Sequence, residues 1–72
     1  MLSFHYDKSD DLFEIISGQP KKAISVEVAD DVFVRKEIKT GKIIGFTILN
    51  FEKWFNSTKE RTIPLFAEFK TI

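Results

Sequence analysis

The stretch that decides the fold is "AISVEVADDVFVRKEIKTGKIIGFTI", residues 23–48. Ile24, Val26 and Val28 fall on one side of an extended chain and Ser25 and Glu27 on the other, the period of a half-buried strand. "DVFVRKEI" continues the alternation after Asp30-Asp31, and "KIIGFTIL" follows "KTG". Parity tests the two turns against each other, because directly opposed residues share a face. A three-residue loop with Gly41 left-handed pairs Ile38 with Lys42, and so Val34 with Phe46 and Val32 with Ile48. A three-residue loop at Ala29-Asp30-Asp31 pairs Val28 with Val32 and Val26 with Val34. A two-residue Asp30-Asp31 turn sets Val26 against Arg35 and is rejected. The expected core face is Ile24, Val26, Val28, Val32, Val34, Ile44, Phe46 and Ile48.

Upstream, Ser3 to Tyr6 and Leu12 to Ile16 read as two further strands, and "SGQP", residues 17–20, breaks the pattern as a connector. Downstream the period changes. Phe51, Trp54 and Phe55 stand at i, i+3 and i+4, one stripe of a helix. Asn50 is the expected N-cap, and Glu52 suits the first turn. The stripe should lie on the apolar face of the sheet. "TIPLFAEFKTI", residues 62–72, alternates again, and Pro64 near its start predicts an edge strand. The expected fold is α+β over a single domain, residues 1–72. It comprises an antiparallel β-meander of about five strands, one helix packed on one face, and a returning C-terminal strand.

Composition bounds the function. The 72 residues carry 11 basic and 11 acidic side chains and no cysteine, so disulfides and thiolate zinc sites are excluded. Residues 1–36 sum to −2 and residues 37–72 to +2, far from the dense basic field of a dedicated nucleic-acid binder. No apolar run approaches membrane-spanning length, and the start lacks the layout of a signal peptide. A soluble cytoplasmic protein with no cofactor and no metal is the expectation. So small a core without a staple favours self-association.

The candidate sites are few. Asp7, Asp10 and Asp11 crowd the reversal between the first two strands, where aspartate suits a turn by bonding its own backbone. The glycine and glutamate of a calcium loop are missing. His5 with Asp7 or Asp11 is a remote hydrolase reading, set against an ordinary strand histidine. Gly45, mid-strand, should admit a close neighbour or a bulge. Phe33 and Arg35, opposite the core face, are the candidate nucleic-acid platform, diluted by Glu27 and Glu37. Pro64, Leu65, Phe66 and Phe69 are the candidate homodimer interface, since Phe66 faces away from Ile63, Leu65 and Phe69 on an unprotected edge.

"YDKSDDLFEI", residues 6–15, followed by "VEVADDVFVRKEIKTGKIIGFTILNF", residues 26–51, resembles the bacterial domain-of-unknown-function family 2283. Its members tend to read Tyr-Asp, three variable residues, Asp and a short apolar strand, then an "ADG" turn, a "GK" hairpin and a "VGIEIL"-type strand. Here Asp31 stands for the usual turn glycine and Phe13-Glu14 for the common Leu-Tyr. The resemblance implies a small stand-alone β-rich protein without enzymatic activity, and it brings no catalytic residues. Some relatives look like the neutralising halves of toxin–antitoxin pairs, which implies a small toxin-like protein as partner. The expected function is therefore a non-enzymatic, self-associating protein-interaction module.

Overall fold

The computed structural model describes residues 1–19, 21–54, 60, 62, 63, 65, 68, 70 and 71. Five strands form one sheet: β1 (Leu2–Asp7), β2 (Leu12–Ser17), β3 (Ala23–Ala29), β4 (Val32–Glu37) and β5 (Ile43–Ile48). A single helical turn follows, α1 (Phe51–Trp54). The first two strands each extend slightly beyond the expected bounds. No described helix is long and apolar enough to cross a membrane.

Every pairing is antiparallel, but the order is β1-β2-β5-β4-β3, so the sheet is not a strict meander. A β1–β2 hairpin lies beside β5, the last strand of a β3–β4–β5 meander. In a strict meander the apolar β5 would be an edge strand with unpaired backbone groups. The observed order places it centrally, with Phe13 opposite Ile48 and Ile15 opposite Phe46. The connection from β2 to β3 crosses three strand spacings, about 14 Å, which its five residues can reach at up to about 3.5 Å each. It is tied to the β4–β5 turn, where Ile38 N–H donates to Lys22 O at 3.1 Å and Lys21 pairs with Glu37 at 3.7 Å.

The expected core register is present: Val32 opposite Ile48, Val34 opposite Phe46 and Val26 opposite Val34. Among the described residues, Val32, Val34 and Ile48 are the buried hydrophobic side chains. The turns reach this register by another route. Ala29 partners Val32, so the first turn is the two-residue Asp30-Asp31 turn, and a bulge between Glu27 and Ala29 restores Val26 to Val34. Lys36 partners Ile43, and Glu37 N–H donates to Lys42 O at 2.8 Å, so the second loop has four residues. A bulge between Arg35 and Lys36 absorbs the difference. A one-residue slip would turn every core side chain to the other face, whereas a bulge costs only local pairing. The burial requirement wins, and the turns adjust to it.

The second bulge moves one expected core residue to the other face, while another keeps the core face but is left uncovered. Ile44 is the extra residue of the second bulge and joins Ile16 and Arg35 on the opposite face. Ile24 lies opposite Lys36 on edge strand β3, at the end of the sheet away from α1, and is 54% exposed. The expected C-terminal strand is not found among the described residues beyond Trp54, none of which belongs to a strand. Leu65 N–H instead donates to Ile63 O at 2.7 Å, a closure that an extended strand does not make. Pro64, Phe66 and Phe69, with Phe55 of the expected helical stripe, lie outside the described residues.

Gly45 fulfils both expectations made for it. It adjoins the bulge, and a Cβ there would sit 2.7 Å from the backbone oxygen of Ile15 on β2. Ala at this position forces two central strands apart. Gly45→Ala should destabilise the chain by about 1–3 kcal/mol, the usual scale of overpacking, read from urea unfolding. A variant as stable as the parent would refute this close approach.

Candidate functional site

Two of the three aspartates of the first hairpin, Asp7 and Asp11, are committed to structural bonds. The last β1–β2 pair is Asp7 with Leu12, leaving a four-residue loop, residues 8–11. Asp7 Oδ1 accepts from Ser9 N–H at 3.0 Å, Ser9 Oγ–H at 2.7 Å and Asp10 N–H at 3.3 Å. The Ser9 hydroxyl first, and then the Asp10 amide, hold the Asp7 carboxyl below its usual range. This is the turn chemistry that the sequence indicated.

Asp11 does more. It is left-handed, with φ 51°, as is Asp31 at φ 64° at the end of the β3–β4 turn. These two turns flank the exit of β5, because Ile48 is opposed by Phe13 on one side and Val32 on the other. Each aspartate grips the chain as it leaves the sheet. Asp31 O accepts from Leu49 N–H at 2.8 Å, and its Oδ1 from Asn50 Nδ2 at 3.4 Å. Asp11 O accepts from Phe51 N–H at 3.0 Å, and both its carboxylate oxygens lie 3.1 Å from Glu52 N. Asp11 therefore caps α1 in place of the expected Asn50, which is itself left-handed at φ 52° and uses its carbonyl to accept from Trp54 N–H at 2.9 Å.

Asp11 Oδ1 also accepts from Tyr6 Oη–H at 2.8 Å. That bond, followed by partial burial and the charges of Asp11, Glu52 and Asp7, pushes the Tyr6 phenol up to about 12. Above the carboxylate lies an aromatic group: Phe13 and Phe51 with ring centroids 4.6 Å apart, Tyr6 and Phe51 at 5.8 Å, and Phe4 and Phe13 at 6.2 Å. Phe51 thus fastens α1 to the apolar face, and Trp54 is half-buried.

The hydrolase constellation is brought together only in part: His5 shares a face of β1 with Asp7, whose carboxyl feels its charge, but not with Asp11. His5 shares a rung with Glu14, and alternation places it on the face opposite Tyr6, whose hydroxyl holds Asp11. Asp7 Oδ1 already accepts three bonds from its own turn. Among the described residues, no three His, Cys, Asp or Glu side chains form a metal-binding group.

Phe33 and Arg35 do share the face opposite the core. Phe33 is half-buried on a rung running Glu27, Phe33, Thr47, Glu14. Carboxylates therefore stand on both sides of the aromatic, which weakens an approaching phosphate backbone's attraction. Arg35 lines a small open cleft of about 50 Å³ with Ile16, Lys21 and Ile44, far below the few hundred Å³ of a ligand pocket.

The remaining feature is one that sequence reasoning passed over. Leu2, Phe4 and Tyr6 form one stripe of edge strand β1, 48%, 64% and 41% exposed. The alternation with Ser3, His5 and Asp7 was its available signal. Compared with family models, curated proteins and solved structures, the chain matches none.

Two outcomes check the Asp11 clamp. Asp11→Ala should cost about 1 kcal/mol for the lost cap and roughly another for a Cβ residue without Asp's tolerance of positive φ, whereas Asp11→Asn should retain most of the stability. Equal losses in thermal unfolding would contradict the assignment.

The second outcome uses the single tyrosine. A raised phenol pKa means that the fold favours the neutral form. The stability so gained is present below the ordinary pKa of 10.0 and is lost as pH rises through about 12. Ultraviolet titration should place Tyr6 near that value and return it towards the ordinary one in Asp11→Ala. For Asp7 the sign is opposite: its contribution is fully present above the ordinary value of 3.8 and is lost as pH falls from there through the lowered one.

Proposed function

We propose that the protein is a non-enzymatic protein-interaction module that self-associates in the cytoplasm. The observation carrying this reading is the exposed stripe of Leu2, Phe4 and Tyr6 on an edge strand, in a chain whose buried hydrophobic side chains, among the described residues, are Val32, Val34 and Ile48. Apolar surface collected on a strand edge is the usual mark of an association site. Structural roles also account for the carboxylates that might have served chemistry, since Asp7 closes its own turn and Asp11 caps α1. The resemblance to the domain-of-unknown-function family adds a role for such a module, the neutralising of a small toxin-like protein.

Light scattering at micromolar concentration tests the self-association. The expected mass is twice that of the 8.4 kDa chain. A monomer mass throughout the micromolar range would sink the reading. Salt-dependent oligonucleotide binding lost in Arg35→Ala would replace it with the nucleic-acid function, and a metal-stimulated hydrolysis lost in Asp11→Ala would replace it with an enzyme.

A further inference from the structure

We propose that two copies of the chain join edge to edge through β1, about a two-fold axis at Phe4, so that the two sheets become one. The inference rests on the self-association above and supplies its surface and register.

The backbone specifies which groups are available. Met1 O accepts from Gly18 N–H at 3.0 Å, so Met1 belongs to the positions that bond inward to β2. Bonding positions alternate along an antiparallel strand. Ser3, His5 and Asp7 therefore turn their amides and carbonyls towards β2, and Leu2, Phe4 and Tyr6 turn theirs outward. The same three residues carry the exposed apolar stripe. Unmade hydrogen bonds and uncovered hydrocarbon coincide on one edge.

That edge is also unguarded. Its register with β2 runs unbroken from Leu2 to Asp7, and "LSFHYD" contains no lysine, proline or bulge. The opposite edge, β3, carries Glu27 and the bulge between Glu27 and Ala29, two of the devices that discourage pairing between edges.

A second copy is the partner that fits, because the edge is complementary to itself under a two-fold. With the axis at Phe4, the Phe4 residues face each other and each Leu2 faces Tyr6 of the other copy. All three outward residues then pair with outward residues, and each opposed pair exchanges two hydrogen bonds. Six bonds form, and the apolar faces stay on one side. An axis at Ser3 or His5 leaves only two such pairs within the strand. A specific interface must clear about 1,000 Å² in all, so about 500 Å² per copy, under a tenth of the 6099 Å² surface. The exposed parts of the three side chains supply on the order of 300 Å², scaled from the 150–250 Å² of an aromatic, and Met1, 87% exposed, flanks them.

The test is performed on the full chain, which has no cysteine of its own. In the proposed register the Phe4 Cα atoms lie about 5.5 Å apart, within disulfide range. The His5 Cα atoms are offset by two residues and lie about 8 Å apart by strand spacing and rise, beyond it. Mild oxidation should therefore give at least tenfold more covalent dimer from Phe4→Cys than from His5→Cys. Phe4→Pro removes an outward donor without touching the β1–β2 ladder, and should halve the mass seen by light scattering. Should that variant fail to fold, the cysteine pair decides alone. A parent dimer in which His5→Cys cross-links as well as Phe4→Cys, or which survives Phe4→Pro, overturns the edge and register while leaving self-association standing. A monomeric parent overturns both.

Discussion

The exit of β5 is the point on which the remaining structure depends. The chain leaves the sheet between two hairpin turns, and each turn ends in a left-handed aspartate that accepts from the departing backbone. Positive φ aims the carbonyl of Asp11 at Phe51 and that of Asp31 at Leu49. Their side chains then reach one position further, to Glu52 N–H and the Asn50 amide. Glycine could adopt the same backbone angle, but it would offer no carboxylate. Aspartate combines tolerance of that angle with a second acceptor.

The clamp works only because β5 is central. Were it an edge strand, one of the two turns would lie elsewhere and α1 would begin from a single anchor. Placing β5 between β2 and β4 buries Ile48 and Val34, fills the space beside Gly45, and brings both aspartates to the same spot. Phe51 then falls on Phe13 and Tyr6, closing the aromatic group over one end of the apolar face. The other end, with Leu2, Phe4 and Ile24, stays open to solvent. Core packing, capping and the exposed stripe all follow from a single choice of strand order.

Much of this was legible in the residues. The alternation of Val26, Val32, Val34, Phe46 and Ile48 gave the central register, because face parity is a local property. Loop lengths were less legible: either turn can gain or lose a residue if a bulge repays it, and nothing in "VADDV" or "EIKTGK" marks the bulge. The place of β2 beside β5 depends on pairing between distant segments, which no periodicity encodes. The cap on α1 illustrates the same limit. Asn50 has the right chemistry in the right place, yet the acceptor came from Asp11, 41 residues before the Glu52 amide that it caps. Among candidate residues, the turn role of Asp7 was read correctly and the wider reach of Asp11 was not. The stripe on β1 was visible as Leu2, Phe4 and Tyr6, but its exposure depended on where α1 came to rest.

The crossing connection between β2 and β3 bears on the order in which the chain assembles. Ile16 and Gly45 are opposed across the sheet yet 29 positions apart in the chain. Bringing them together in an otherwise open chain costs about 3 kcal/mol of loop entropy beyond the constant part. Once the meander has formed, β3 and β5 are already held at fixed separation. Only the short connector then remains to be closed, at about half that cost. Local hairpins should therefore form before β2 docks, and the docking step carries most of the topological information. The aspartate clamp, which needs both turns in place, can close only after it, so the last structure to appear on folding is the first to be lost when the sheet loosens.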